Sequence, residues 1–343
     1  MSLILNSNKY ELLGPKNLTI KTEMLYESQM LGNQVLCKTL YSAISPGTEI
    51  AAYKGEPPLR PGPIYPRVIG YCNIAKVLAV GNAVTRFMVG DLVLNFQSHR
   101  SAFICDEDKI ACIVPENANL VNASTTYLFH LGYNALLKGG FRPGYSVAVL
   151  GLGALGLTSI ALANAFGAEV YGISNQGYRE KLALEFGAKK IYQKTGLDCS
   201  QELMAITNGG VDLLVSTSSS WSDWRVAISS VRKEGVICVL GFPGRAEPIP
   251  SFNPLDSQYF YDSQLKIICC GYSPDVDVPP HDIRFTIKRN CEFLLGQIKN
   301  NRLPASKIIS AVIPWRDLNS LYERMALRDQ NLITGVLDWT IEN

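Results

Sequence analysis

A chain of 343 residues, 47% apolar and 18% charged, is long enough for two domains with ordinary cores and too apolar for disorder. Its 32 Lys and Arg nearly balance 30 Asp and Glu, so a net charge of +2 gives no electrostatic reason to expect nucleic acid or an anionic membrane as partner. Met1 to Lys9 has neither the basic start nor the apolar run of a secretory signal, no stretch nears the roughly 20 apolar residues of a membrane span, and nine scattered cysteines in a chain expected to be cytoplasmic read as reduced, mostly buried thiols.

Between residues 18 and 115, short β-branched stretches at 34–40, 73–80 and 91–96 are broken by turns at Ser45-Pro46-Gly47, Gly55 and Pro61-Gly62-Pro63. That spacing predicts a compact, partly closed all-β unit. After Asn122 the rhythm changes: strand-like runs at 147–150, 169–173, 211–216 and 236–241 alternate with helical stretches, as in a parallel sheet with crossovers. A run at 266–271, helical stretches at 282–299 and 315–328 and a last strand at 335–339 follow. The expected fold class is α/β, with a β-rich domain built from both chain ends around an inserted α/β domain.

The strongest local signal is Val147-Ala148-Val149-Leu150 running into Gly151-Leu152-Gly153-Ala154-Leu155-Gly156. This G-x-G-x-x-G follows a buried strand and opens a helix ending near Gly167, the context a dinucleotide fingerprint needs. Gly151 permits the tight turn, Gly153 lets the backbone approach a pyrophosphate, and Gly156 lets helix and strand pack closely. The helix N-terminus then offers N–H groups to the phosphates. About 20 residues on, where an NAD site carries an acid, stands Ser174, followed by Asn175 and, further along, Arg179 and Lys181. Hydroxyl and amide donors with nearby cations suit a 2′-phosphate, so NADPH is expected over NADH. The two cations read equally as the solvated face of the next helix.

Gly55, Gly70, Val80-Gly81, Val89-Gly90-Asp91, Val114-Pro115, Gly151 to Gly156, Phe186-Gly187-Ala188 and Leu240-Gly241-Phe242 occur in an order and spacing that resemble the medium-chain dehydrogenase/reductase superfamily over nearly the whole chain. Ser45-Pro46-Gly47-Thr48-Glu49 and the stretch around Ser98-His99 resemble a zinc-free branch with bacteriochlorophyllide dehydrogenase-like and sugar or cyclitol dehydrogenase-like members. The resemblance implies a GroES-like catalytic domain at 1–122 and 270–343, a Rossmann domain at 123–269, and nicotinamide and substrate held in the cleft between them. It implies that Leu155 backs the nicotinamide ring, that Ser216, Thr217, Gly241 and Phe242 line the ribose and nicotinamide side, and that the protein is a homodimer meeting through the 266–271 edge. Zinc-dependent relatives carry a Cys, a Gly-His-Glu triplet and a third ligand. Here those positions hold Pro46, Gly70-Tyr71-Cys72 and a residue near Tyr127, and only Cys105 and Cys112 lie where four cysteines would hold a structural zinc. No metal is expected, the alternative being a non-standard site built from Cys72, His99, His130 and Glu49.

Hydride transfer to a carbonyl builds negative charge on oxygen, which a donor must stabilise or protonate. Thr48 matches the hydroxyl that relays the proton in zinc-dependent relatives, and Tyr71 replaces the zinc-ligand His. His99 and His130 are the other candidates. Each has a plainer reading, as a turn-bonding threonine, a packed aromatic or a satisfied core histidine. Glu49 reads as a structural ion-pair partner, and His281 is given no role. The substrate pocket is expected to draw on 53–67, 256–262 and 273–281; Arg60 or Arg67 can meet an anionic substrate or stand as surface charges. The leading expectation is a zinc-independent NADPH-dependent oxidoreductase interconverting alcohol and ketone on a polar small molecule. The alternatives are an enoyl or quinone reductase and a catalytically inactive NADPH-binding protein.

Overall fold

Residues 2–194, 198–275 and 285–341 are described by a computed structural model. The chain divides into two units, Met1–Tyr127 with Pro274–Asn343, and Leu128–Ser273. Of the expected pocket segments, 276–281 lies outside the described residues, and His281 with it.

The first unit is organised on the strand Gln34–Ala43, which pairs antiparallel with Asn73–Val80, with Ala102–Asp106 and with Thr334–Asp338. The last of these comes from the far end of the chain and joins this sheet, while the N-terminal strands Ile4–Gly14 and Asn17–Tyr26 pair in a separate one. Val35 and Cys37 turn one face of the central strand into a core with Val77, Val93, Phe103 and Ile110. The C-terminal return is fixed by aromatics: Trp315 and Trp339 stack at 4.9 Å, and Tyr10 donates to the Trp315 carbonyl over 2.7 Å. Helix Leu318–Ala326 buries Leu318, Leu321 and Tyr322, a three- and four-residue spacing that places them on one face. Ser45-Pro46-Gly47, expected to be a turn, instead opens the helix Pro46–Lys54. Proline suits the first helical position because its missing N–H would have no partner there.

In the second unit the described strands run parallel in the order Ala188–Gln193, Glu169–Ser174, Ser146–Leu150, Val211–Ser216, Val231–Val239 and Lys266–Cys269. This is a Rossmann-type doubly wound sheet, and the order reverses between Ser146–Leu150 and Val211–Ser216. Open sheets of this kind bind ligands at the carboxyl ends beside that reversal. The central strands are apolar on both faces, as a sheet covered by helices requires. Ala188–Gln193 was not anticipated. Exposed Lys189 and Lys190 interrupt its pattern because it is an edge strand buried mainly through Ala188, Ile191 and Tyr192. Eight of the nine cysteines are buried; exposed Cys269 and buried Cys270 face opposite ways, as extended backbone demands. No helix among the described residues is long and apolar enough to cross a membrane.

His130 is a tie within this second unit. It lies in helix Thr126–Lys138, 1% exposed, with Nε2 3.3 Å from Ser273 Oγ. Ser273 donates to Asn134 Oδ1, and Asn134 donates to the carbonyls of Cys270 and Tyr272, holding the helix to the chain beyond the last strand. Burial pushes the imidazole down to about 4 from 6.5, so it is neutral near pH 7 and positions backbone rather than exchanging protons. Because the unfolded chain takes up this proton first, stability is full above pH 6.5 and falls as the pH drops toward 4. The expected loss is up to about 3 kcal/mol. Urea unfolding between pH 7 and 4 should therefore steepen less for His130→Gln than for the parent; identical pH profiles would refute the assignment.

Candidate active site

The turn after strand Ser146–Leu150 is shaped by its glycines. Gly151 has φ +95°, and a Cβ on Gly156 would stand 1.8 Å from the Gly151 carbonyl oxygen. Neither position admits a side chain. Gly153 differs: it precedes helix Ala154–Ala165, and a Cβ there would meet nothing within 4 Å, so the space over it is open. Thr217, at the end of the facing strand, donates to the Leu150 carbonyl at 3.0 Å and lies 3.3 Å from that of Gly151, locking the turn across the reversal point. Ser216 is buried, and its carbonyl accepts from Leu240 and Gly241 N–H. Leu155 is half-buried in the first helical turn, and half-buried Phe242 lies under the Arg245 guanidinium at 5.4 Å. The helix N-terminus, the open glycine and the small turn residues make a cradle that fits a pyrophosphate.

At the end of the second strand Ser174 is buried and accepts from Gln176 N–H, keeping its own hydroxyl hydrogen to donate. Asn175 and Lys181 are exposed. Arg179 is not on the solvated face that surface charge suggests. It is buried, donates from Nη1 to the Leu152 carbonyl at 2.9 Å and stacks near Tyr178, bracing the glycine turn from behind.

The first unit assembles a second cluster. Thr48 sits half-exposed in the first turn of helix Pro46–Lys54, one residue before buried Glu49. Tyr71 donates to Ser45 Oγ over 2.5 Å, and Thr48 is near enough to its hydroxyl to draw its pKa down. Burial, with Cys72 and Glu49 nearby, raises its pKa, so it stays a neutral phenol and a proton-bearing donor. Tyr127 meets Tyr71 edge-on at 5.4 Å, and burial pushes its hydroxyl up to about 12. The Cys72 thiol is also pushed well up by burial.

Beneath them lies a closed polar network. Glu49 accepts from Ser45 N–H at 2.7 Å, from Tyr322 and from His99 Nε2 at 2.9 Å, while His99 Nδ1 is 2.8 Å from Ser42 Oγ, which accepts from Trp339. With no exposed surface and both ring nitrogens engaged, His99 holds Glu49 and does not reach out to a substrate. Thr48 and Tyr71 are thus brought together, His99 backs them, and His130 belongs to the tie described above. Sequence reasoning passed over Ser45, Tyr322 and Trp339. Ser45 carried a usable signal: a serine before a helix-opening proline normally caps, but its side chain makes no cap bond because it serves Tyr71.

Comparison with known proteins places these clusters in context. A family model described as "Zinc-binding dehydrogenase" matches residues 154–273. A sorbitol dehydrogenase of Bacillus subtilis is 24% identical over 234 residues, covering 59% of this chain and 65% of that protein. The chain thus spans a little under two thirds of that relative. A D-guloside 3-dehydrogenase of Escherichia coli is 24% identical over 324 residues, 87% of this chain and 90% of that one. Among solved structures, an L-idonate 5-dehydrogenase from Escherichia coli superposes with a TM-score of 0.81 at 15% identity, covering 98% of this chain and 99% of that one.

The glycine geometry separates folding from binding. Gly156→Ala should fail to fold or lose several kcal/mol, because its methyl group collides with backbone. Gly153→Ala should keep its melting temperature within about 2 °C and lose dinucleotide affinity by about tenfold or more. Fluorescence titration with the reduced dinucleotide beside a thermal melt decides it; undiminished binding by Gly153→Ala would show that the open space is not the phosphate path.

Proposed function

Because the chain is a member of the medium-chain dehydrogenase/reductase superfamily, with GroES-like and Rossmann units, we propose that it is a zinc-independent, NADPH-dependent oxidoreductase interconverting an alcohol and a ketone on a polar small molecule. The observation that carries this reading is the neutral Tyr71 phenol, bonded to Ser45 with Thr48 close by, at the position where the resemblance expects a zinc-ligand histidine. When bound, the nicotinamide supplies or accepts the hydride. Reduction of a ketone then requires one proton at the carbonyl oxygen. Tyr71 donates it, solvent restores the proton to Tyr71 by relay through the half-exposed Thr48 hydroxyl, and Ser45, which accepts from the phenol at rest, fixes its direction.

What supports a zinc-free centre is the donor set. Zinc is held by thiolate, imidazole or carboxylate. Pro46 offers no donor, Tyr71 and Tyr127 are phenols, a rare kind of zinc ligand, and Glu49 and His99 are bonded to each other and to their neighbours. Among the described residues no group of three or more His, Cys, Asp and Glu is arranged to hold a metal ion. What supports NADPH is the absence of an acid at Ser174 and the exposed donors of Asn175 and Lys181. Arg179 contributes through the turn it braces.

Oxidation of NADPH by chelator-treated enzyme should proceed with ketones of polyols and sugars and not with enones or quinones. Turnover confined to the second group would replace this reading by C=C reduction, and none with either would leave a binding protein. Tyr71→Phe should lower kcat about a hundredfold without loss of fold, and Thr48→Ala by less. Ser174→Asp should erode the preference for NADPH over NADH by about tenfold or more through repulsion of the 2′-phosphate. An unchanged cofactor ratio would remove Ser174 from the cofactor site.

A further inference from the structure

We propose that Arg60 anchors an anionic group of the substrate, a carboxylate or a phosphate monoester, so that the chain acts on acidic polyol or sugar derivatives in preference to their neutral counterparts. This rests on the alcohol–ketone reading and adds the class of substrate to it.

The Arg60 guanidinium stands 4.6 Å from the centre of the Tyr71 ring, on the face of the residue whose hydroxyl meets Ser45 and Thr48. Its charge is not neutralised: among the described residues no carboxylate pairs with it, and the one acid of its loop, Glu56, pairs with Lys54 at 2.5 Å. Stacking uses the face of the guanidinium and leaves its in-plane N–H groups, the fork that meets carboxylate and phosphate in pairs, to solvent or ligand. An exposed arginine with a free fork is common. One fixed over a buried phenol by a built loop is not, and this loop is built.

Five prolines between Pro57 and Pro66 restrict it before folding, and Tyr65 clips it to helix Pro46–Lys54 by donating to the Ala52 carbonyl at 2.5 Å. Arg67 donates from Nη2 to the Arg60 carbonyl at 3.2 Å, while its buried Nη1 has no acceptor among the described residues. Arg67 thus holds Arg60 in place and brings a second guanidinium to the same loop. The positive field already reaches the cluster, since Arg60 draws down the pKa values of Tyr127 and Cys72 against the burial that raises them. A substrate anion on Arg60 would therefore lie beside the oxygen that Tyr71 protonates. A monoanionic carboxylate is satisfied by Arg60 alone, whereas a phosphate dianion gains from both arginines.

Calorimetric titration of the full chain with NADP+ present, using glucitol, gluconate, glucitol 6-phosphate and inorganic phosphate, tests this directly. The anions should bind at least tenfold more tightly than glucitol. Arg60→Gln should cut that margin by about 10- to 100-fold, and Arg60→Lys should restore part of it for phosphate more than for carboxylate. A larger margin for phosphate than for gluconate, reduced by Arg67→Gln, identifies the phosphate monoester; parity identifies the carboxylate. Failure of every anion to bind, or a charged-to-neutral margin unmoved by Arg60→Gln, overturns the anchor. Turnover is scored separately. Oxidation of neutral polyols with no charged preference overturns the anchor while the alcohol–ketone reading stands. Arg60-dependent anion binding without hydride transfer supports the anchor and removes that reading.

Discussion

A carboxylate shut away from water has to be met by donors on every side, and Glu49 is the group around which the first unit is arranged. Its oxygens gather Ser45 N–H, His99 and Tyr322, contributed by a helix start, the loop before strand Ala102–Asp106 and helix Leu318–Ala326. Removing one partner from such a buried pair costs about 3–5 kcal/mol, because the remaining charge is left unsatisfied. The network therefore has one arrangement in which it is tolerable. That arrangement fixes the entry of helix Pro46–Lys54, hence the places of Ser45 and Thr48, hence the direction of the Tyr71 hydroxyl. Gly70 belongs to the same constraint: a Cβ there would lie 2.5 Å from the His99 ring.

The second unit is governed by a different economy of space. Its central strands are apolar on both faces, and the turn at its glycine fingerprint is held largely through main-chain groups. The Gly151 turn, Thr217 and the Ser216 carbonyl interlock through backbone groups, leaving Gly153 as the open surface over a helix N-terminus. Arg179 adds a buried cation behind that turn, with Nη1 on the Leu152 carbonyl and the guanidinium over the Tyr178 ring. One unit thus has dipoles and small residues suited to an anionic cofactor, and the other has hydroxyls backed by a closed network of hydrogen bonds.

Which of these features was legible beforehand follows from their range along the chain. The glycine fingerprint, its strand and its helix are local, and so is the alternation of strands with helices. Errors arose where a partner distant in sequence decides the matter. Ser45-Pro46-Gly47 has turn composition and becomes a helix start because Glu49 is held by residues about 50 and 273 positions away. Lys189 and Lys190 hide a strand that exists because Glu169–Ser174 supplies its ladder. Arg179 looks like a surface charge until the Leu152 carbonyl is found within its reach.

The sequence by itself determined the α/β class and the glycine turn between strand and helix, because short-range stereochemistry and residue identity suffice for each. Only the tertiary structure decided the roles of the candidate side chains. It sealed His99 and His130 into supporting positions, turned Arg179 inward, and set Arg60 over Tyr71 beside Thr48. The reason is physical: whether a polar side chain is available for chemistry depends on which donors and acceptors surround it, and those are assembled from segments that only folding brings together.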